Sequence, residues 1–260
     1  MKRRIKIIVA ALLTVIIILL SCINICAAEK SYSWYCKHRK DNLQPEAGAE
    51  LSFIEKYDAY YIDKRHGDDS QDKVIYLTFD AGYENGNVAK ILDTLKKEDV
   101  PAAFFILGNL VVKNTDLVER MFAEGHLVCN HTYRHKSMIG FDQAKFNEEL
   151  DALNKICLEF TGKQVSKFYR PPEGKFDESS LKYAKLAGYK TVFWSFGYED
   201  WDNNKQMSPD KAKRKILENL HNGEIMLLHP TSATNAAILG EVIREIKAQG
   251  YRFGTLDELT

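Results

Sequence analysis

Strand-like and helix-like patterns alternate along most of this chain, and that alternation restricts the fold more than any other feature. Short runs rich in β-branched and aromatic residues are each followed by a segment with apolar residues at helical spacing. The predicted strands are 74–79, 102–107, 127–130, 167–170, 190–193, 224–228 and 251–255. The predicted helices are 87–97, 115–124, 142–160, 179–187, 209–220 and 235–249. Seven strands alternating with six helices favour a parallel sheet closed into a barrel. An open, doubly wound sheet is the alternative, although no glycine-rich phosphate loop supports it.

The first 28 residues have the pattern of an export segment. Lys2-Arg3-Arg4 precedes an apolar run at 5–20, and small residues follow as far as Ala28. A basic start, an apolar centre and small residues at the end are typical of a secretory signal peptide. Lipid attachment at Cys22 and retention as a membrane anchor are the alternatives. All three predict an exported, extracytoplasmic protein that meets the membrane only through this segment.

The remaining chain is divided into two parts by its composition. Residues 29–72 are polar and aromatic, and we predict a short N-terminal extension that packs on the main body and has one helix near 49–57. A loose stalk is the alternative for 29–46. Residues 73–260 form the predicted main domain.

Charge and cysteine content narrow the classes of function. Lys+Arg and Asp+Glu both number 36, and this balance argues against a nucleic-acid-binding protein. Cys36, Cys129 and Cys157 follow the export segment without the spacing of a disulfide framework. We interpret Cys129 as a small core residue, because free cysteines are usually buried. A thiolate metal ligand, two residues before His131, is the alternative. The sequence does not indicate an oligomeric state.

Ionisable and aromatic residues end or follow the predicted strands at their carboxyl ends, the face on which barrel enzymes carry their active sites. These residues are Asp80, His131, Arg170, Trp194, Asp200 and His229. His131 and His135 are four residues apart, and two histidines in or near one helical turn can bind the same metal ion. A solvated surface turn is the alternative for these two histidines.

Five short strings, in order along residues 74–259, resemble the motifs of the polysaccharide deacetylases (the NodB-homology, carbohydrate esterase 4 family). Residues 78–82 are similar to T-F-D-D-G and residues 131–135 to H-[ST]-x-x-H; residues 170–174, 200–201 and 227–229 are similar to the third, fourth and fifth motifs. The longer strings TFDAGYENG (78–86) and RPPEGKFDE (170–178) look most like one subgroup. That subgroup removes acetyl groups from N-acetylmuramic acid, on the route to muramic δ-lactam in spore cortex peptidoglycan.

The resemblance implies a distorted (β/α)7 TIM-like barrel, the NodB-homology fold, and a metal-assisted hydrolase that acts on the amide bond of N-acetylated peptidoglycan sugars. It implies a divalent cation, with Zn²⁺ the first choice, bound by His131 and His135. Asp80 would be the general base and His229 the general acid.

Further roles follow from the same resemblance. Arg170 would orient Asp80 through its planar fork, and Asp200 would fix the tautomer of His229. The implied substrate-binding residues are Trp194, Trp201, Pro171, Gly174 and Leu227. The structural alternatives are a salt bridge for Arg170, a core position for Trp194 and a strand-end cap for Asp80.

One position departs from the family pattern. The family's second Asp, a metal ligand, is Ala81 here, which leaves two histidines where catalytic zinc sites usually have three protein ligands. We hypothesise that Asp80, Glu84, Asn85 or a water molecule supplies the missing oxygen. Two other functions stay open: deacetylation of N-acetylglucosamine in peptidoglycan or chitooligosaccharides, and a non-catalytic glycan-binding barrel.

Overall fold

A nine-stranded sheet, in which every pairing is parallel, forms the centre of the part of the chain that the computed structural model describes, residues 29–259. The strands are β1 (Ser31–Ser33), β2 (Cys36–Lys37), β3 (Glu46–Ala47), β4 (Ala59–Tyr60), β5 (Val74–Ala81), β6 (Ala103–Ile106), β7 (Leu127–Asn130), β8 (Ser166–Tyr169), β9 (Lys175–Asp177), β10 (Lys190–Val192), β11 (Phe196–Gly197), β12 (Glu224–Leu228) and β13 (Arg252–Phe253). The main sheet has the order β11-β12-β5-β6-β7-β8-β10-β4, and β13 also pairs with β5. All seven predicted strands are present.

The sheet is rolled so that one stretch of chain joins its two edges. Phe193 N donates to Tyr60 O in β4 at one edge, while Ser195 N donates to Ile225 O in β12 near the other edge. The segment from β10 to β11 therefore bridges the gap between the two edges of the sheet. The fold is the predicted distorted (β/α)7 barrel.

Helices cover the outside of the sheet. They are α1 (Val88–Glu98), α2 (Gly108–Lys113), α3 (Thr115–Ala123), α4 (Gln143–Thr161), α5 (Glu178–Leu186), α6 (Pro209–Leu217) and α7 (Ala233–Ala248). Short 3-10 helices occupy Ala49–Tyr57, Pro172–Gly174 and Leu256–Leu259. The six predicted helices are confirmed within a few residues at each end. Helix α2 was not predicted, because its six residues are too few to show a helical period.

Side-chain alternation along β5 separates two cores and positions the site. Ile75, Leu77 and Phe79 belong to the apolar layer between sheet and helices, whereas Val74 and Tyr76 belong to the barrel interior. Because successive side chains of a strand point to opposite faces, Thr78 and Asp80 share the interior face. Asp80 therefore reaches the inside of the barrel at the carboxyl end of the strand. Cys129 is fully buried in the same interior, as predicted.

The segment before β5 is packed against the barrel. Strand β1 pairs with β9, strands β2 and β3 form a hairpin, and β4 adds to the main sheet beside β10. Because β4 belongs to that sheet, the division between extension and main domain near residue 72 stays a prediction. The export segment predicted for residues 1–28, with Cys22, lies outside the described residues. Within residues 29–259, no helix is both long and apolar enough to cross a bilayer.

Candidate active site

Arg170 is the fully buried centre of the polar network inside the barrel. It directly follows β8, and its guanidinium lies 4.1 Å from the ring centroid of Phe105. Its donors contact Asp80 Oδ1 (2.8 Å), Thr78 Oγ1 (2.9 Å), Val192 O (2.9 Å) and Phe193 O (3.2 Å). A buried charge is tolerated when it is paired and hydrogen-bonded, and each of the three side-chain nitrogens of Arg170 has a partner. Nη1 is the fork nitrogen that contacts Asp80, while Nη2 donates to Thr78 Oγ1 and Phe193 O. The orienting role expected of Arg170 stays a prediction.

The ring of His131 is oriented by the backbone of that same arginine. His131 Nδ1 lies 2.8 Å from Arg170 O, and a carbonyl can only accept, so Nδ1 carries the proton. Nε2 then presents a lone pair, 3.5 Å from Asp80 Oδ2. Burial lowers the pKa of His131 to about 4. A neutral imidazole with a fixed tautomer is the form that binds metal ions.

His131 and His135 meet through a tight loop and not through a helical turn, which corrects the prediction. Thr132 and His135 both have left-handed backbone angles, with φ of 72° and 58°. Thr132 N donates to Asn130 Oδ1, and His135 N donates to Thr132 Oγ1. These contacts bring the two imidazole centroids to 4.9 Å, edge to face.

Two of the residues hypothesised as a third metal ligand make hydrogen bonds away from the histidines. Glu84 accepts from the backbone N–H groups of Gly86 and Val88 at the start of α1, and Asn85 donates to Thr231 O. Ala81 is buried in the apolar layer on the helix side of the sheet. Across residues 29–259, no group of three or more His, Cys, Asp or Glu side chains is arranged to bind a metal ion. The donors that remain for a metal ion are the two imidazoles of His131 and His135, and the carboxylate of Asp80 lies beside them.

Asp80 combines burial with three basic neighbours. Burial alone would raise its pKa, but His131, Arg170 and His229 together outweigh that effect, and the pKa lies below its ordinary value. Asp80 is therefore ionised at neutral pH. Oδ1 is held by Arg170, and Oδ2 faces the imidazole of His131.

His229 follows β12 and is held by Asp200. Its Nδ1 lies 2.7 Å from Asp200 Oδ1, and Asn235 Nδ2 donates to Asp200 Oδ2 at 2.6 Å. Burial would lower the pKa of His229, but the hydrogen bond and charge of Asp200, with a contribution from Asp80, raise it above the ordinary value. The ring is thus poised to carry a proton near neutral pH.

A cleft of about 670 Å³ opens over these groups. Eight of the predicted site residues line it: Asp80, His131, His135, Gly174, Trp194, Trp201, Leu227 and His229. Arg170 and Asp200 lie beneath the cleft and contact Asp80 and His229 from below. Pro171 is the exception. It is buried, does not line the cleft, and supports the loop through its carbonyl, which accepts from Gly174 N.

Sequence reasoning missed five residues of the cleft. They are Gly82, Tyr83, Leu107, Glu173 and Thr231. Tyr83 and Glu173 lie inside the two longer strings that resemble the deacetylase subgroup. Their place in these strings is the signal that could have identified them as site residues. Leu107 directly follows β6, and Thr231 is two residues after His229. A lone Leu or Thr carries no chemical signal of its own.

Known proteins show the same fold and sequence pattern. The polysaccharide deacetylase family model matches residues 67–192. The peptidoglycan-N-acetylmuramic acid deacetylase PdaA of Bacillus subtilis is 41% identical over 228 residues, which cover 87% of this chain and 85% of that protein. The structure of B. subtilis PdaA, a family 4 carbohydrate esterase, superposes with a TM-score of 0.83 at 40% identity and covers 88% of this chain and 97% of that chain.

Two more distant relatives bear on the alternatives. A peptidoglycan-N-acetylglucosamine deacetylase of Bacillus cereus is 32% identical over 213 residues, which cover 80% of this chain and 74% of the relative. A Bacillus anthracis protein described as a CE4 family pseudoenzyme superposes with a TM-score of 0.66 at 29% identity and covers 73% of this chain and 66% of that chain.

Proposed function

The chain belongs to the polysaccharide deacetylase family, and from this premise we propose that it de-N-acetylates N-acetylmuramic acid in peptidoglycan, on the route to muramic δ-lactam in spore cortex. Members of this family are hydrolases that act on N-acetyl amide bonds. The observation that carries the proposal is the convergence of Asp80, His131 and His229 in one cleft, each held by a buried polar partner.

Asp80 is the proposed general base. Hydrolysis of an amide requires removal of a proton from the attacking water, and a positioned carboxylate can accept it. Arg170 fixes Oδ1 and favours the ionised form, so Oδ2 is the oxygen available to the water. Asp80 Oδ2 lies 3.5 Å from His131 Nε2 and is therefore beside the proposed metal ligands.

His229 is the proposed general acid. The leaving sugar amine must receive a proton as the C–N bond breaks. Asp200 accepts from Nδ1 and raises the pKa of the ring, so that Nε2–H is the donor on the cleft side. The base and the acid thus come from different strands, β5 and β12, which pair directly in the sheet.

The proposed cofactor is a divalent cation, as in the metal-dependent enzymes of this family. His131 and His135 would bind it, since their rings lie 4.9 Å apart and the tautomer of His131 leaves Nε2 free to coordinate. When bound, such an ion supplies Lewis acidity to the acetyl carbonyl and to the attacking water. The donors do not select the metal, because imidazole suits several transition metals; Zn²⁺ is our first choice.

The proposed substrate is the glycan strand, bound between apolar walls. Trp194, Leu227 and Trp201 line the cleft, and Trp201 is 57% exposed beside the ring of His229. Flat aromatic faces of this kind pack well against sugar rings and acetyl methyl groups. The muramic acid preference is supported by 41% identity to PdaA against 32% to the N-acetylglucosamine deacetylase. Such a substrate places the protein outside the cytoplasm, exported or anchored by its N-terminal segment.

Acetate release from purified peptidoglycan tests the proposal. We expect release from strands whose peptides have been removed by an amidase, dependence on added divalent metal, and mass spectra in which muramic acid has lost its acetyl group. Acetyl loss from glucosamine alone would instead assign the protein to the N-acetylglucosamine deacetylases.

A non-catalytic glycan-binding barrel is the second candidate. The incomplete set of metal donors favours it, and the B. anthracis pseudoenzyme shows that inactive chains occur in this family. Binding of peptide-free glycan without acetate release, at millimolar zinc, cobalt or manganese, would establish this function in place of the first.

A further inference from the structure

Trp194, the aromatic wall of the cleft, lies at the break in the barrel. Its neighbours pair with different strands, because Phe193 N donates to Tyr60 O and Ser195 N donates to Ile225 O. The peptide of Trp194 is therefore at the point where the chain passes from one edge of the sheet to the other. Its ring position requires support from outside the regular sheet.

Trp34, in the segment before the barrel, provides such a contact. Its Nε1 donates to Trp194 O at 2.8 Å, and its ring stacks on Phe193 with centroids 4.5 Å apart. The side chain is only 7% exposed. The backbone of Trp34 is also fixed, because its N–H donates to Gly174 O at 2.8 Å. This hydrogen bond lies just beyond the pairing of β1 with β9.

Gly174 connects the two tryptophans. It has a left-handed φ of +63°, and a Cβ built there would lie 2.7 Å from Trp194 Cη2 and 3.1 Å from Trp34 Cβ. The two tryptophans thus enclose the one glycine, and a displacement of Trp34 would reach both Trp194 and Gly174. Both of these residues line the cleft.

We propose that Trp34 is a positioning residue for the substrate cleft, which holds Trp194 and Gly174 in the geometry that binds a sugar ring. Affinity for the glycan depends on this contact, whereas the acid–base chemistry does not. Trp34 lies outside the cleft lining, and its hydrogen bonds and ring contacts are with Trp194, Phe193, Tyr61 and Gly174. The identity of the sugar rests on the proposed function.

Replacement of Trp34 by Phe in the full chain tests this role. Trp34→Phe keeps an aromatic ring against Phe193 but removes the N–H that donates to Trp194 O. Loss of one hydrogen bond used only for positioning should raise KM about five-fold and leave kcat nearly unchanged. The control is Phe53→Leu, which thins the same aromatic cluster through contacts with Tyr32 and Phe176. It should change thermal stability without changing KM.

A second readout does not need catalysis. The chain has three tryptophans, so 5-fluorotryptophan labelling gives three ¹⁹F signals, assignable with Trp201→Phe and Trp34→Phe. We expect the Trp194 signal to shift or broaden in Trp34→Phe and to stay unchanged in Phe53→Leu. An unchanged Trp194 signal with unchanged glycan affinity would overturn the proposal. Absence of acetate release from the wild type would refute the deacetylase function and still leave this comparison decisive.

Discussion

Asp200 holds His229 at two points, since Oδ1 lies 2.7 Å from Nδ1 of the ring and Oδ2 accepts from the backbone N–H of the same residue at 2.7 Å. Asp200 is 1% exposed, while the side chain of His229 keeps 21% of its surface accessible. One carboxylate therefore fixes the position, the tautomer and the charge of the proposed acid, and it leaves the opposite ring edge toward the cleft.

The first prediction concerns the alkaline limit of activity. A general acid acts while protonated, so kcat/KM should fall as the pH rises through the pKa of His229. Asp200 raises that pKa, so Asp200→Asn should lower it and move the alkaline limb to lower pH. The measurement is the pH profile of acetate release. Asp202→Asn, in the same loop but exposed, is the control and should leave the limb in place. If the alkaline limb of the pH profile is the same in Asp200→Asn as in the wild type, His229 is not the general acid.

The second prediction separates catalysis from binding. Asp80→Asn and His229→Ala should each lower kcat/KM for acetate release by about 10²–10⁴-fold, the usual effect of losing a general base or acid. Affinity for peptide-free glycan should change little, because the walls formed by Trp194, Trp201 and Leu227 remain. Titration calorimetry with the glycan and an acetate assay on the same preparations check this. Equal activity of wild type and Asp80→Asn would contradict the role of Asp80.

The third prediction concerns the metal. Two imidazoles without a third strong protein ligand should bind divalent cations weakly, and His131→Ala and His135→Ala should each abolish that binding. Equilibrium dialysis with zinc, cobalt and manganese measures it, and His38→Ala, outside the cleft, serves as the control. Chelator should stop acetate release, and added metal should restore it. Wild-type protein that binds none of the three at millimolar concentration would contradict the proposed site.

The fourth prediction concerns the buried arginine. Arg170→Met leaves Asp80 as a buried carboxylate without its ion-pair partner and should lower the free energy of unfolding by about 3–5 kcal/mol. Arg244→Met removes an exposed ion pair with Glu98 and should cost no more than about 1 kcal/mol. Urea denaturation of both variants gives the comparison. Similar losses for the two would mean that Arg170 is not the electrostatic centre of the barrel.

Much of the fold could be predicted because the main strands are long apolar runs. Strand β5 has seven buried residues out of eight and could be recognised without its neighbours. Strands β4, β9 and β11 have two or three residues each, and they exist only because a distant segment pairs with them. Local pattern carries no information about such pairing.

The same limit applies to the site. Charged residues after predicted strands indicated Asp80, Arg170 and His229, because carboxyl ends of parallel strands share one face of a barrel. The loop from His131 to His135 was misread as helical, since spacing alone does not show the left-handed angles at Thr132 and His135. Pro171 was misplaced for a related reason. Within one short motif, sequence does not distinguish the residue that faces the cleft from the one that supports the loop.

The last prediction concerns Glu224, a fully buried carboxyl at the start of β12. One oxygen accepts from His221 N at 3.2 Å, while within residues 29–259 the other has no hydrogen-bond partner. Burial raises the pKa of Glu224 well above its ordinary value, so the folded protein keeps a proton that the unfolded chain has released.

The sign of the pH dependence follows from that proton. The contribution of Glu224 to the free energy of unfolding is greatest below its unfolded pKa of about 4.3 and falls as the pH rises toward its folded pKa. Glu224→Gln replaces the carboxyl with a neutral group of the same shape, so the variant should match the wild type near pH 4 and exceed it at pH 8. Thermal unfolding at both pH values, with the exposed Glu241→Gln as control, measures the difference. A wild-type advantage that grows with pH would show that Glu224 is ionised in the folded protein, because a paired carboxylate gives a slope of the opposite sign.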